Sequence, residues 1–373
     1  MLRYLTAGES HGECLVAILE GMPFGVKVNL EVISNELTRR REGYGRSQRM
    51  KLEFDKIEIL SGIRSGLTMG SPIALRIINK EFKIDSLPEI TQPRPGHGDL
   101  AGAIKYQSGI RNILERASAR ETAIRVAIGA FCKSLLIEFG VDILSHLIML
   151  GGVSAKTERL SFDKIRMNAS KSILNCADNT AEKPMIAKID EAKKEGDTVG
   201  GVFEIIVINL PVGLGSHVQW DRRLDGRLAQ ALISIPAIKG VEFGLGFESA
   251  RKMGSEVHDE IFYNFKKGFF RKTNRSGGLE AGITNGEPLV MRCVMKPIST
   301  LMKPLASVDI LSKKQVQAAV ERADVCAVPS AGVIGEAVVA IEIAQAMLEK
   351  FGGDSLSEMK RNYEGYMKQV KSF

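Results

Sequence analysis

The chain has 373 residues, 44% of them apolar and 25% charged, with a net charge of +7. That composition suits a soluble globular protein of one or two domains; no run approaches the roughly 18 apolar residues of a membrane span, and MLRYLTAGESHG lacks the apolar core of a signal peptide. Five scattered cysteines without C-x-x-C spacing point to a reduced, cytoplasmic protein with no structural zinc, and the positive balance suits an anionic partner, nucleic acid or phosphorylated small molecule alike.

In chain order, residues 8–12 read GESHG. Flanking glycines let the backbone turn tightly and hold Ser10 and His11 at the bend. Cys14 to Leu19 reads as an apolar strand and 25–30 as a second one. Glu31 to Arg41 reads as a helix that Gly43 ends, with Arg39, Arg40 and Arg41 in its last turn. The loop beyond adds Arg46 and Arg49. Part of this cluster complements the helix dipole. Five arginines exceed what capping needs, and forked guanidiniums recognise phosphate and carboxylate. One aromatic, Tyr44, gives nucleic acid little to stack on.

Residues 57–63 and 72–79 read as strands. Residues 80–100 are irregular, because Pro88, Pro93 and Pro95 bar a continuous helix or central strand. This long loop holds RPGHGDL, with His97 between two glycines beside an Arg and an Asp. Next, Ser118 and Glu121 stand in the S-x-x-E relation of a capping box, which predicts a helix from Ala119 to Gly140. Arg116 and Arg120 then fall at its positive end, unfavourable by roughly 0.3–1 kcal/mol. Either a bound anion or pairing with Glu115 and Glu121 offsets that.

Residues 141–152 and 200–210 read as strands, with His146 in the core and a Lys-rich helix near 182–195 between them. Trp220 to Ser234 reads as a helix broken by Pro236. Residues 251–275 read as a basic, exposed or ligand-ordered loop. A second capping box at Ser312 to Gln315 predicts a helix to about Ala323, and Ala337 to Phe351 predicts an amphipathic one. The tail, 355–373, reads as a charged helix. There is no G-x-x-x-x-G-K-[ST] loop and no H-E-x-x-H.

GESHG, RRREGYGRSQRM, RPGHGDL, ERASARETAIRVAIGAF, the segment Pro211 to Gly244, NRSGGLEAGITNGEP, KPISTL and RADVCAVPSAGVIGEAVVA follow one another as in chorismate synthases. The chain resembles that family from about residue 1 to 350. The resemblance implies an α+β fold: one domain over 1–373, a β-α-β sandwich with helices packed between antiparallel sheets, assembled as a homotetramer. Patterning alone supports mixed α and β in one domain. The implied reaction is the 1,4-elimination of phosphate from 5-enolpyruvylshikimate 3-phosphate, giving chorismate. It requires reduced FMN without net redox, with NADPH or an external flavin reductase as the source of electrons.

The same resemblance implies the site. His11 protonates the leaving phosphate, His97 donates to the flavin, and Asp324 helps handle a flavin proton, although which histidine serves which partner stays open. Ser10, Arg40, Arg46, Arg49 and Arg120 bind the substrate; Arg40 and Arg46 are also linked with NADPH. FMN contacts Arg116, Ala117, Ser118, Pro236, Ala237, Ala281, Gly286, Lys296, Pro297, Ile298, Ser299, Thr300 and Arg322. No metal, nucleic acid or membrane is implied. The chain departs from the family pattern at Gly98, Gly109, Pro236, Ala281 and Ala323; Ala281 suits its place only with φ below zero. A flavin reductase or other oxidoreductase on the same flavin site is one competing function, although hydride transfer needs no trianion pocket. A basic RNA-binding protein is another, and 6% aromatics argues against it.

Overall fold

Strands β1 (Arg3–Ala7), β2 (Cys14–Glu20), β3 (Ile57–Ile59) and β4 (Ile73–Ile78) form an antiparallel sheet in the order β1-β2-β4-β3. Its inner face comes from period-two alternation: Leu15, Ala17 and Leu19 on β2, and Ile73, Leu75 and Ile77 on β4, are buried. Strands β5 (Asp142–Leu150), β6 (Val153–Ser154), β7 (Gly201–Ile208), β8 (Ile238–Phe243) and β9 (Leu289–Met295) form a second antiparallel sheet, ordered β8-β9-β7-β5-β6. The computed structural model describes residues 2–47, 54–80, 82–321 and 323–373, so Arg49 and Arg322 lie outside the described residues.

The described helices of eight or more residues are α1 (Leu30–Arg41), α2 (Asp99–Tyr106), α3 (Ile110–Ala117), α4 (Thr122–Leu136), α5 (Phe162–Ala169), α6 (Asn179–Glu195), α7 (Leu224–Ile233), α8 (Val328–Phe351) and α9 (Leu356–Ser372). Helix α4 packs under the first sheet, α1 packs on α4 and α8, and α8 lies between α4 and the second sheet. One apolar cluster runs through both sheets and these three helices. The α4–α8 crossing is tight: a Cβ on Gly129 would meet Ala337 Cβ at 2.4 Å, so only glycine fits there. This is the expected sandwich of helices between antiparallel sheets.

Several elements differ from their sequence readings. Helix α8 starts nine residues before Ala337, at Val328, and is buried all round as far as Ile341; beyond that it is amphipathic as read, with Glu342, Gln345 and Glu349 at helical spacing outside the core. It is long and apolar enough to cross a membrane, yet 83% of its most apolar window is buried inside the protein, as a core helix requires. Residues 25–30 form no strand; Gly25 has φ +89° and Asn29 caps α1 through Glu31 N–H. The helix expected from Ser312 is a hairpin, Ala306–Val308 against Gln315–Gln317. There Asp309 Oδ1 accepts the Leu311 and Ser312 N–H groups, and Lys313 is left-handed, which fixes a turn. Residues 251–275, read as a loop, form short helical turns and a hairpin, Ile261–Asn264 against Gly268–Arg271. Cross-strand pairs Phe262–Phe270 and Tyr263–Phe269 hold it.

Candidate active site

A cavity of about 820 Å³ opens between the GESHG turn, the loop before α2, α3, the start of α4, the Pro236–Ala237 turn and the N-terminus of α8. Its lining includes Ser10, His11, Arg40, Arg46, His97, Ala117, Ser118, Arg120, Pro236, Ala237, Lys296, Ile298, Ser299, Thr300 and Asp324, drawn from segments up to about 300 residues apart in sequence. Arg116, Pro297, Ala281 and Gly286 do not line it.

Local chemistry puts each group in place. Gly8 has φ +110° and lies against β2, where a Cβ would meet Cys14 O at 2.3 Å. Asn79 Nδ2 donates to Glu9 O and Gly12 O and so ties the GESHG turn to the end of β4. Ser10 N–H donates to Glu115 O at 2.9 Å. Both oxygens of the buried Glu115 carboxylate then hold His11, one on its N–H at 2.7 Å and one on Nδ1 at 2.9 Å. A carboxylate only accepts, so Nδ1 carries a proton and proton exchange falls to Nε2.

His97 is held in the same way. Its Nδ1 donates to Asp99 Oδ1 at 2.5 Å. Arg94 Nη2 lies 3.2 Å from the same nitrogen, close to Asp99 Oδ1 at 3.1 Å, to which it donates. Burial opposes the charge on Asp99, but hydrogen bonds from His97 and Arg94 outweigh it and hold the carboxyl well below its usual range. Two His–carboxylate pairs therefore serve one cavity.

The arginine run divides between two faces of α1. Arg40 faces the cavity: Nε donates to Thr122 Oγ1, Nη2 to Ala119 O, and Nη1 to Asp55 at 3.4 Å. Arg120 Nη1 donates to the same Asp55 at 2.5 Å and its Nε to Asn79 Oδ1. Two guanidiniums thus share one buried carboxylate. Arg46 pairs with Asp324 at 2.6 Å, yet its buried Nε has no partner among the described residues. Arg39 turns away to Glu336 and Glu36. Ser118 caps the turn before α4 through Arg120 N–H at 3.2 Å, and Ala119–Glu121 forms a 3-10 turn, so that helix end faces the cavity. Arg116 does not sit there. It occupies the last turn of α3, where a cation is favourable, and donates to Thr6 and Gly8.

At another wall Lys296 Nζ donates to Gly96 O and to Ser299 Oγ. Burial, and after it the charge of Lys239, pull this ammonium below its usual value. The N-terminus of α8 has no side-chain cap and lies against the same space. Cavity residues that sequence reasoning did not single out are Arg94, buried between Asp99 and Thr300, and Arg111. Asp55 stands behind the wall. Arg94 had a signal in RPGHGDL; Asp55 had none, because the loop that carries it shows no pattern.

Ala281 and Gly282 form the two-residue turn between Leu279–Glu280 and Ile283–Thr284, with φ +50° and +80°. Both residues are left-handed, as a type I′ turn demands, so the expectation of φ below zero fails. An L-residue there costs roughly 1–2 kcal/mol, partly offset by alanine's stiffer unfolded chain. Ala281→Gly is expected to raise stability by up to about 1 kcal/mol; a lower midpoint in urea would refute this account of the turn.

The antiparallel sandwich, with guanidiniums and two carboxylate-held histidines converging on one cavity, defines an enzyme for a polyanionic small molecule. The profile of the chorismate synthase family matches residues 2–348. The chain is 55% identical to the chorismate synthase of Geobacter metallireducens and 54% identical to that of Geobacter sulfurreducens, each over 100% of both chains. A crystal structure of a chorismate synthase superposes with a TM-score of 0.83 at 46% identity, covering 100% of this chain and 99% of that one. The chain belongs to the chorismate synthase family.

Proposed function

We propose that the cavity eliminates phosphate from 5-enolpyruvylshikimate 3-phosphate to give chorismate. The observation that carries this reading is the convergence of the paired histidines with guanidiniums that outnumber the carboxylates around them. A substrate with one phosphate and two carboxylates supplies the missing negative charge. Arg40, Arg46 and Arg120 bind it, Arg49 with them by the family pattern, and Ser10 and the start of α4 add donors. His11, oriented by Glu115, delivers the proton from Nε2 to the oxygen of the departing phosphate. Asp324 orients Arg46 and the Ser47 N–H, each at 2.6 Å.

The remaining walls fit a flavin mononucleotide. Lys296, Ser299, Thr300 and Ser118 give one cation and three hydroxyls, and a Cβ on Gly96 would come within 3.2 Å of Lys296 Nζ. The volume is near the upper end of the ~300–1,000 Å³ of small-molecule sites. Reduced FMN, when bound, supplies electron density transiently without net redox. Lys296, Ser299, Thr300, Ser118 and the Pro236–Ala237 turn would hold it, with His97 as a donor beside it. Ala281, Gly286 and Arg116 would act from outside this cavity. The same reading makes the enzyme a cytoplasmic homotetramer, supported by the exposed Leu5 and Ile18 paired on the outer face of the first sheet.

The test is anaerobic turnover of the phosphorylated substrate with chemically reduced FMN. Chorismate and phosphate should appear in equal amounts, and neither with oxidised FMN alone. A folded, flavin-binding protein that makes no chorismate would sink the reading. Oxidised FMN with NADPH then shows whether the enzyme reduces its own flavin or needs an external reductase.

A further inference from the structure

Arg111 lies in the first turn of α3, buried, and lines the cavity. Its Nε donates to Pro88 O and its Nη2 to Glu321 Oε1, both at 3.0 Å. Nη1 makes no hydrogen bond among the described residues. The neighbouring guanidiniums each pair with a more deeply buried carboxylate: the side chains of Asp55, shared by Arg40 and Arg120, and of Asp99 are fully buried, and that of Asp324 is 16% exposed. Glu321 is 38% exposed. Water screens its charge, so the pair is worth little. The position is also the positive end of α3, whose cap, Gly109, offers no side-chain acceptor. A buried cation with a weak partner, an unused donor and a helix dipole of the same sign concentrates positive potential at one wall.

We infer that Arg111 binds an anionic oxygen group of a ligand in the cavity, a phosphate or carboxylate, in exchange for Glu321. This inference rests on the proposed reaction for the identity of the ligands. Pro88 O holds the Nε edge, so the guanidinium stays oriented while its outer edge changes partner. Glu321 is then a competitor for the site, and removing its charge strengthens binding.

The experiment compares Arg111→Gln, Arg111→Lys and Glu321→Gln in the full chain. Calorimetry gives Kd for 5-enolpyruvylshikimate 3-phosphate and, separately, for FMN; turnover gives KM and kcat. Arg111→Gln is expected to weaken one ligand by roughly 10- to 100-fold, with kcat within about threefold, and the weakened ligand identifies the anion's source. Arg111→Lys keeps the charge without the fork and falls between. Glu321→Gln should tighten the same ligand several-fold. The inference is overturned if Arg111→Gln leaves both dissociation constants within twofold, or if Glu321→Gln weakens binding as Arg111→Gln does, which marks the pair as structural. If Arg111→Gln does not fold, the direction of the Glu321→Gln change decides alone. The binding arms read on Arg111 even if no chorismate forms, so failure of the reaction and failure of this inference are distinguishable.

Discussion

Glu115→Gln lowers kcat for chorismate formation by about 100-fold or more, with a much smaller change in KM. Two donors of His11, its backbone N–H and Nδ1–H, each take one oxygen of this carboxylate. An amide has one acceptor and one donor end, so one of those N–H groups would face the amide NH2. The ring loses either its fixed direction or its tautomer. A positioned acid typically contributes about 10²–10⁴-fold, and a misdirected one forfeits most of it. His11→Ala should cost as much, and the double variant should be no worse than His11→Ala, because the two residues act as one unit. Glu115 is buried, so unfolding must be measured alongside to separate orientation from stability. A Glu115→Gln enzyme that folds and keeps kcat within about threefold would falsify the role of Glu115 in holding the acid.

The elements legible in the sequence were those whose pattern carried one meaning. Strand β2 alternates because one face is buried, and its reading as Cys14 to Leu19 stops one residue short of the observed Glu20. Ser118 announced a helix start, and the structure has one there. His146 read as a core residue; it is fully buried, with Nε2 at 3.1 Å from Glu204. The readings failed where a local signal has two physical outcomes. Ser312 with Gln315 matches a capping box, but Asp309, three residues before Ser312, captures the Ser312 N–H that the Gln315 side chain would accept in such a box. The hairpin at 261–271 alternates aromatic residues on both faces, so no apolar side stands out. The first part of helix α8, Val328 to Ile341, is buried on every face because α4 covers one side and the second sheet the other, and that contact is tertiary.

The candidate site was legible as residue types rather than as partners. GESHG and RPGHGDL marked His11 and His97, but nothing local told that Glu115 holds the first. That pair is 104 residues apart. Arg39 to Arg41 read as one cluster, whereas helical geometry sends neighbours about 100° apart. Arg40 therefore meets Asp55 at the cavity while Arg39 meets Glu336 on the far side.

That far side sets the largest stability effect. Glu336→Ala is expected to cost about 3–5 kcal/mol, a large share of the 5–15 kcal/mol typical of a folded protein. Glu336 on α8 has no exposed surface. Its Oε1 accepts from Arg39 Nη2 at 2.7 Å, Ser145 N at 2.8 Å and Ser145 Oγ at 2.7 Å; its Oε2 accepts from Arg39 Nη1 at 2.9 Å and Lys133 Nζ at 2.6 Å. One carboxylate thus joins α1, α4, α8 and β5. Burial opposes its charge, but Arg39 and Lys133 outweigh that and hold the carboxyl far below its usual range. A depressed folded value means the stabilisation is complete above the unfolded carboxylate value of about 4.3, and it is lost as pH falls through the folded one. The stability gap between wild type and Glu336→Gln should therefore stay level from pH 7 to about 5 and shrink only in stronger acid. Urea unfolding across that range checks both size and sign. The effect reaches the cavity too, since Ser330 of α8 donates to Arg40 O at 2.6 Å, and looser packing of α1 on α8 should raise the substrate KM. The opposing outcome is a loss below about 1 kcal/mol. Arg39 and Lys133 both line a groove of about 470 Å³ beside α1 and both also pair with Glu36; so small a loss would mean that Glu36 and solvent in the groove together replace Glu336.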